Sequence, residues 1–286
     1  MWSVVLDALI DSSIAAPFLL VIYLLIEFLE GNERAKRRTV QLLNGKLAPT
    51  VAGGVGLIPQ CGFSVMATDL YCQDYLKLGT LIAFFVATSD EALPILLTNR
   101  NTVGVVWIVL LVKVVYAILL GYLINLFDRR KLSTEYQLSD DEGCCHHDMH
   151  EHKRTFWGFV KHPLLHTLKI FIYIFVINAI FGLLMYYFEQ QIVDFCARLG
   201  FAQSFFTALI GLVPNCASSV AITGMYAEGI VDLPAMLAGL VSNSGIALAI
   251  LFKDIKHWRR NLVIVAIMYF AGVILGVSAY FIVSVI

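Results

Sequence analysis

Two short segments place an amide and a thiol directly after a proline, a combination that can bind a metal ion. One segment reads GLIPQC and the other GLVPNC, so the pairs are Gln60 with Cys61 and Asn215 with Cys216. Amide and carbonyl oxygens suit hard cations, whereas thiolates suit zinc, cadmium or trivalent arsenic. We therefore expect these four residues to be metal ligands. The alternative is that the small residues allow close helix packing and that the cysteines are buried apolar side chains.

Two neighbouring carboxylates, Asp90 and Glu91, lie within the otherwise apolar run LIAFFVATSDEALPILL. A carboxylate is costly inside a membrane, so it is expected to face a substrate pathway or a partner. Both acids are therefore predicted as metal ligands. The alternative partner is Lys113, a base in the middle of the next apolar run. An ion pair with Lys113 is compatible with a substrate role, and Lys113 is included in the predicted pathway.

The two proline segments belong to an internal repeat with an offset of 155 residues. Residues 56–96 align with 211–251 without a gap, and about 15 of the 41 positions are identical. The counterparts of Asp90 and Glu91 are Gly245 and Ile246, so the predicted site is asymmetric and net acidic, which favours a cation. Two copies of a proline-broken polar segment indicate a transporter with its substrate site between the halves, at mid-membrane.

Further polar side chains follow the two tips and the acidic pair. Asp69 stands at the foot of the first broken segment, where an interfacial position is the alternative to a ligand role. The remaining predicted pathway residues carry hydroxyl or amide groups: Ser64, Thr68, Ser89, Ser219, Thr223, Asn243 and Ser244.

The composition is that of a membrane protein. The chain is 59% hydrophobic and 14% charged, with a mean hydropathy of +0.80, which leaves too few polar side chains to cover a soluble domain. Six apolar runs are long enough to cross a bilayer and are expected to be plain helices. They are 5–29, 78–97, 103–127, 164–188, 234–252 and 261–285. The basic residues form short clusters without a broad face for nucleic acid, and no HExxH, nucleotide loop or Ser/His/Asp order predicts an enzyme.

The positive charges predict the topology. Basic clusters follow the first run, follow residue 128 and lie at 253–260, and all three are placed in the cytoplasm. This requires that the proline-broken stretches 40–72 and 200–226 turn back as re-entrant hairpins. The predicted fold is an all-α polytopic membrane protein of about ten helical segments. It has two inverted repeats, each with three crossings and one hairpin. The competing arrangement has one kinked crossing per broken stretch and parallel repeats.

A polar linker divides the chain into three parts. We expect a first transmembrane repeat at 1–128, a cytoplasmic linker at 129–163 and a second repeat at 164–286. The linker could be an accessory metal-binding tract or an incidental polar segment, because imidazoles and thiols are dense but lack a fixed tetrahedral spacing. Its candidate ligands are Cys144, Cys145, His146, His147, His150 and His152.

The motifs together resemble a known family. PFLLVIYLLIEFLE, GLIPQCGFSV, LGTLIAFFVATSDEALPILL and GLVPNCASSVAITGMY are similar to those of the prokaryotic ten-helix heavy-metal exporters. Members of that family are often labelled manganese transporters, and the family is distantly similar to the arsenical permeases. The resemblance implies a multi-pass secondary exporter in the cytoplasmic membrane, with ten segments that match six runs and four hairpin arms.

The expected function is export of a divalent cation, with manganese first, driven by a proton or sodium gradient. The metal is the substrate, and no resident cofactor is expected. An arsenical permease that uses the tip thiols is one alternative, and a membrane metal sensor or scaffold without transport is another. The expected partners are the metal ion, the coupling ion and membrane lipid; a homodimer is left open beside the monomer.

Overall fold

The computed structural model describes residues 45, 47–57, 61–72, 74–88, 92–98, 103–128, 200–253 and 257–285, together with isolated positions between 168 and 196. All regular structure within these residues is helical, with no strand among them. The isolated positions from 168 to 187 are helical, in agreement with the predicted run. The predicted crossing at 5–29 and the linker lie outside the described residues.

The described helices of the first half are two short helices, the two parts of an interrupted crossing and a long helix. The two short helices, α1 (Ala48–Val55) and α2 (Cys61–Cys72), lie where the sequence predicts the first hairpin, and we call them its arms. The two parts of the interrupted crossing are α3 (Leu78–Ala87) and α4 (Ala92–Thr98), and the long helix is α5 (Val103–Phe127). The bounds of α5 agree with the run predicted from hydropathy.

The second half repeats this order of elements. A short 3-10 turn, Gly200–Ala202, precedes the helices. They are α6 (Gln203–Gly211), α7 (Cys216–Ala227), α8 (Leu233–Ser242), α9 (Ala247–Lys253) and α10 (Trp258–Val285). Each helix begins 155 residues after its counterpart in the first half. The structural repeat therefore extends beyond the identical positions in the sequence, to every helix from α1 to α5.

The hairpin arms are too short to cross a bilayer. The second arms, α2 and α7, have 12 residues each, and the first arms have 8 and 9. At about 1.5 Å per residue, 12 residues of helix extend about 18 Å, against about 30 Å of hydrocarbon. Both second arms begin at the cysteine of the proline segment, where the sequence predicted the hairpin tips.

Two of the six runs expected to be plain crossings are broken in the middle, so that expectation was wrong. The run 78–97 divides at Thr88, between α3 and α4, and the run 234–252 divides at Asn243, between α8 and α9. Thr88 and Asn243 are equivalent in the repeat and both have extended backbone, with ψ of 130° and 121°. The interruption is therefore a feature of the repeat.

Local chemistry explains the second break. Gly245 has φ of +56°, in the left-handed region where a residue with a side chain is strained. The Asn243 side chain accepts a hydrogen bond from the Gly245 N–H at 2.7 Å and so replaces a backbone acceptor. Asparagine and serine compete with helix in this way. Hydropathy does not detect such a break because the surrounding residues are apolar.

The packing places the broken crossings inside and the long helices outside. The segments Gly104–Phe127, Leu233–Phe252 and Trp258–Ser284 are the described ones long and apolar enough to cross a membrane. The middle one, which contains α8 and α9, is almost wholly buried, whereas the other two are largely exposed. The two halves also pack against each other reciprocally. Helix α2 of the first half packs against α9 of the second, and α7 of the second half packs against α4 of the first. This reciprocal packing brings both hairpins and both breaks together.

Candidate functional site

A small cavity lies where the two broken crossings meet the second hairpin tip. Its space is about that of a single water molecule, which suits an ion without its hydration shell. Both residues that flank the first break line it, as does the beginning of α7. The lining residues are Thr88, Ala92, Lys113, Cys216, Ser219, Leu240, Asn243 and Gly245.

Lys113 joins the two broken crossings at this cavity. Its side chain has no exposed surface, and its Nζ donates hydrogen bonds to the carbonyl oxygens of Thr88 and, at 3.0 Å, of Leu240. In an uninterrupted helix the Leu240 carbonyl would accept from the backbone four residues ahead. Because α8 ends at Ser242, that carbonyl is available to the ammonium. The break in each crossing therefore creates an acceptor for Lys113.

Two helix ends at the cavity stabilise the Lys113 ammonium. α3 and α8 both end at it, and the C-terminus of a helix carries about −0.5 of an elementary charge. The ammonium of Lys113 sits between these two ends. The repeat counterpart of Lys113 is Met268, a buried apolar side chain, so the two halves differ in charge at this point.

The second hairpin tip presents a thiol and a hydroxyl to the cavity. Cys216 is buried and begins α7, and Ser219 lies one turn later with its Oγ donating to the Cys216 carbonyl. Asn215 is the N-cap of α7 and its Oδ1 accepts from the Ala217 N–H at 3.2 Å. Asn215 thus has a structural role as well as its predicted role as a ligand. Thr223 is buried and donates to the Ser219 carbonyl.

The first hairpin reaches the site through hydroxyl groups. Ser64 and Thr88 are joined by a hydrogen bond of 2.9 Å between their side-chain oxygens. Thr88 Oγ1 also donates to the Phe84 carbonyl, and Thr68 Oγ1 donates to the Ser64 carbonyl. Asp69 follows on α2 with 8% of its surface exposed, so it is buried within the protein.

The structure describes part of the predicted site. It places Lys113, Cys216, Ser219 and Asn243 around one cavity. Ser244, beside Asn243, is also buried. The described residues contain no group of three or more His, Cys, Asp or Glu side chains that could hold a metal. The predicted residues outside the described part of the chain are Gln60, Ser89, Asp90, Glu91 and the linker cluster 144–152, together with the side chain of Cys61.

The sequence interpretation missed three contributors. They are Thr88, the Leu240 carbonyl and Gly245. The repeat alignment contained a signal for the first, since Thr88 is paired with Asn243 and directly precedes Ser89. No sequence signal identifies the Leu240 carbonyl, because an apolar residue contributes it through its backbone.

Comparison with known families agrees with this arrangement. The chain matches the family described as "Putative, 10TM heavy-metal exporter" over residues 1–166 and again over 153–283. The chain belongs to this family. It matches no curated protein and no solved structure.

Membership confirms the family that the sequence motifs resemble. It supports a multi-pass membrane protein that exports a heavy metal, which is the function of a transporter. The match in two overlapping parts agrees with the two structural repeats.

Proposed function

We propose that this protein is a secondary-active exporter of divalent metal cations and that manganese is its main substrate. The observation that supports this most is the cavity at which both broken crossings meet the second hairpin tip. Discontinuous helices in transporters provide ion sites, because unwound backbone and helix ends replace the ion's water. The metal is cargo in this proposal.

The length of the helices supports a site near mid-membrane. α3 and α8 have 10 residues each, and α4 and α9 have 7 each. These lengths correspond to about 15 Å and about 10 Å, so each break falls well inside a hydrocarbon layer of about 30 Å. The cavity is therefore distant from both surfaces.

Covalent connectivity supports the acids as ligands. Thr88 and Ala92 both line the cavity, and Asp90 is two residues from each of them. Glu91 directly precedes Ala92. Two carboxylates this close in the sequence to residues that line the cavity favour a cation over an anion.

The tip thiols support a second candidate, an arsenical permease. Cys216 lines the cavity, and a thiolate prefers zinc, cadmium or trivalent arsenic to manganese. We rank manganese first because oxygen ligands outnumber thiols among the residues proposed as ligands. A metal sensor without transport is the third candidate.

We further propose that the two repeats are inverted and that the protein lies in the cytoplasmic membrane of a prokaryote. The short hairpin arms and the positive clusters support this arrangement. Lys77 would lie inside, and Asn101 and Gln190 outside. Single cysteines at Asn101 and Gln190 should react with an impermeant thiol reagent added to whole cells, whereas one at Lys77 should not. Labelling of Lys77 from outside contradicts the inverted arrangement.

The division into a first repeat at 1–128, a cytoplasmic linker at 129–163 and a second repeat at 164–286 is part of the same proposal. The end of α5 at Phe127 supports the boundary of the first repeat. The Cys/His tract of the linker would gather or sense metal beside the transport path.

Flux in liposomes tests the proposed function directly. Purified protein is reconstituted and screened with manganese, zinc, cadmium, iron and arsenite under imposed proton and sodium gradients. Asp90→Asn and Glu91→Gln remove charge with little change in shape, and each should abolish most divalent-cation flux while the protein stays folded.

Asp232→Asn and Glu228→Gln are matched controls. Both side chains are exposed, and the Asp232 side chain makes no capping hydrogen bond at the start of α8. Flux should therefore be unchanged in these variants. Normal flux in both Asp90→Asn and Glu91→Gln would refute the acidic site, and wild-type protein that moves no ion would favour a sensor or scaffold.

A further inference from the structure

The break in the second repeat contains buried oxygen atoms but no acidic side chain. It runs from Asn243 to Ile246, between α8 and α9. Asn243 and Ser244 are both buried. The equivalent connection in the first repeat carries Asp90 and Glu91. The two breaks thus occupy equivalent positions in the repeat and differ in charge.

The Ser244 hydroxyl is unusual among the buried hydroxyls of this region. Ser244 is 2% exposed, and its Oγ has no hydrogen-bond partner in the described part of the chain. By contrast, Ser242 Oγ donates to the Ala208 carbonyl at 2.7 Å, and Ser219 Oγ donates to the Cys216 carbonyl. A buried polar group without a partner is disfavoured, and in native structures it calls for a bound water or ion.

Backbone carbonyls at the end of α8 add further oxygen atoms. The last four carbonyls of a helix have no partner within it. The Gly239 carbonyl accepts from the Asn243 N–H, and the Leu240 carbonyl accepts from Lys113. Among the described hydrogen bonds, none beyond the helix ladder reaches the carbonyls of Val241 or Ser242. These carbonyls immediately precede Asn243 and Ser244 along the chain.

We propose that the second break binds a monovalent alkali cation, sodium, through the Ser244 hydroxyl and the carbonyls freed where α8 ends. Neutral oxygen ligands without a carboxylate match a single positive charge better than two. Oxygen ligands also suit a hard cation. This inference rests on the proposed secondary-active exporter and assigns the coupling ion to it. The acidic break binds the divalent substrate, and the neutral break binds sodium.

Thermal unfolding of the purified full-length protein tests the sodium site without transport. Melting is measured without divalent metal, in sodium, potassium or choline chloride at equal ionic strength. Sodium should raise the wild-type Tm by at least about 2 °C over potassium and choline, because a ligand that binds only the folded state stabilises it. Ser244→Ala should show no sodium-specific rise. Ser278→Ala, an exposed serine on α10, is the matched control and should behave like wild type.

The comparison of sodium with potassium and choline shows whether the Ser244 hydroxyl binds sodium or is only a buried polar group. If Ser244 is only a buried group without a partner, Ser244→Ala raises the Tm equally in all three salts, and the sodium site is wrong. The proposal is also overturned if sodium gives the wild type no specific rise, a result that does not depend on how any variant folds.

Flux separates the failure of this inference from failure of the proposed function. A sodium gradient should drive divalent-metal flux in wild-type proteoliposomes and should fail to do so in Ser244→Ala. Metal flux that follows a pH gradient alone overturns the sodium site and leaves the exporter standing. Absence of metal flux under any gradient refutes the exporter, even where sodium still raises the Tm.

Discussion

Lys113 donates hydrogen bonds to both broken crossings, and this contact leads to a quantitative prediction for paired substitutions at Lys113 and Asp90. An ammonium has three N–H donors, and the carbonyls of Thr88 and Leu240 account for two of them. Asp90 follows Thr88 by two residues in the sequence, and we predict that its carboxylate accepts the third hydrogen bond. We expect an ion pair whose charges balance inside the membrane.

The expected coupling energy between Lys113 and Asp90 follows from the burial of their charges. Lys113 has no exposed surface, and Lys113→Met introduces the side chain already buried at the repeat counterpart, Met268. Either Lys113→Met or Asp90→Asn alone leaves one buried charge, at a cost of about 3–5 kcal/mol. In the double variant both charges are absent. The carbonyls of Thr88 and Leu240 lose their donor in Lys113→Met and in the double variant alike, so that cost cancels from the coupling energy. The expected coupling energy is therefore at least about 3 kcal/mol, the cost of one unpaired buried charge.

Unfolding by sodium dodecyl sulfate in mixed micelles measures the free energy of unfolding of the four proteins. The double variant should be more stable than the two single effects predict. If the effects add to within about 0.5 kcal/mol, the ion pair is refuted, and Lys113 holds the two carbonyls alone. Flux is measured on the same samples. Asp90→Asn and the double variant should both be folded and inactive, whereas restored flux in the double variant would show that Asp90 balances Lys113 and does not bind the substrate.

Three further predictions concern the tips, the hairpin packing and the linker. Cells that carry Cys61→Ser with Cys216→Ser should keep manganese resistance and lose zinc, cadmium or arsenite resistance, because a hydroxyl does not replace a thiolate as a ligand of soft metals. Loss of manganese resistance alone would contradict the oxygen-rich site. Gly211→Ala should lower stability by about 1–3 kcal/mol in detergent unfolding, because its Cβ would overlap the Gly239 carbonyl, whereas Gly224→Ala meets nothing within 4 Å and should be neutral or stabilising. Equal stability of these two variants would contradict the packing of α6 on α8. Serine at the Cys and His residues of 144–152 should change the apparent affinity for metal in flux assays and nearly preserve the maximal rate. A peptide of this segment should bind zinc more tightly than manganese. Complete loss of flux at saturating metal would place the tract in the transport path.

The sequence predicted the repeat and the starts of the two helices that follow the proline segments, because both depend on local chemistry. A proline stops the hydrogen-bond ladder wherever it occurs, and α2 and α7 begin at Cys61 and Cys216, directly after the two proline-amide pairs. The long helix α5 was predicted with the correct bounds because a plain apolar run has one stable form in lipid. The interrupted crossings were missed because hydropathy averages over Asn243, Ser244 and Gly245 and does not detect a change in backbone direction.

The sequence by itself therefore determined the membrane class, the two repeats, the tips and the positions of the charges. Only the tertiary structure decided which backbone atoms meet those charges. Lys113 lies 25 residues from Thr88 and 127 from Leu240, and it contacts both through carbonyl oxygens, which every residue has and no sequence pattern distinguishes. Those carbonyls become acceptors because α3 and α8 stop short, and the packing of the two halves brings the stops to one place. Residue type determines which side chain can carry a charge, but the fold determines which backbone carbonyls accept its hydrogen bonds.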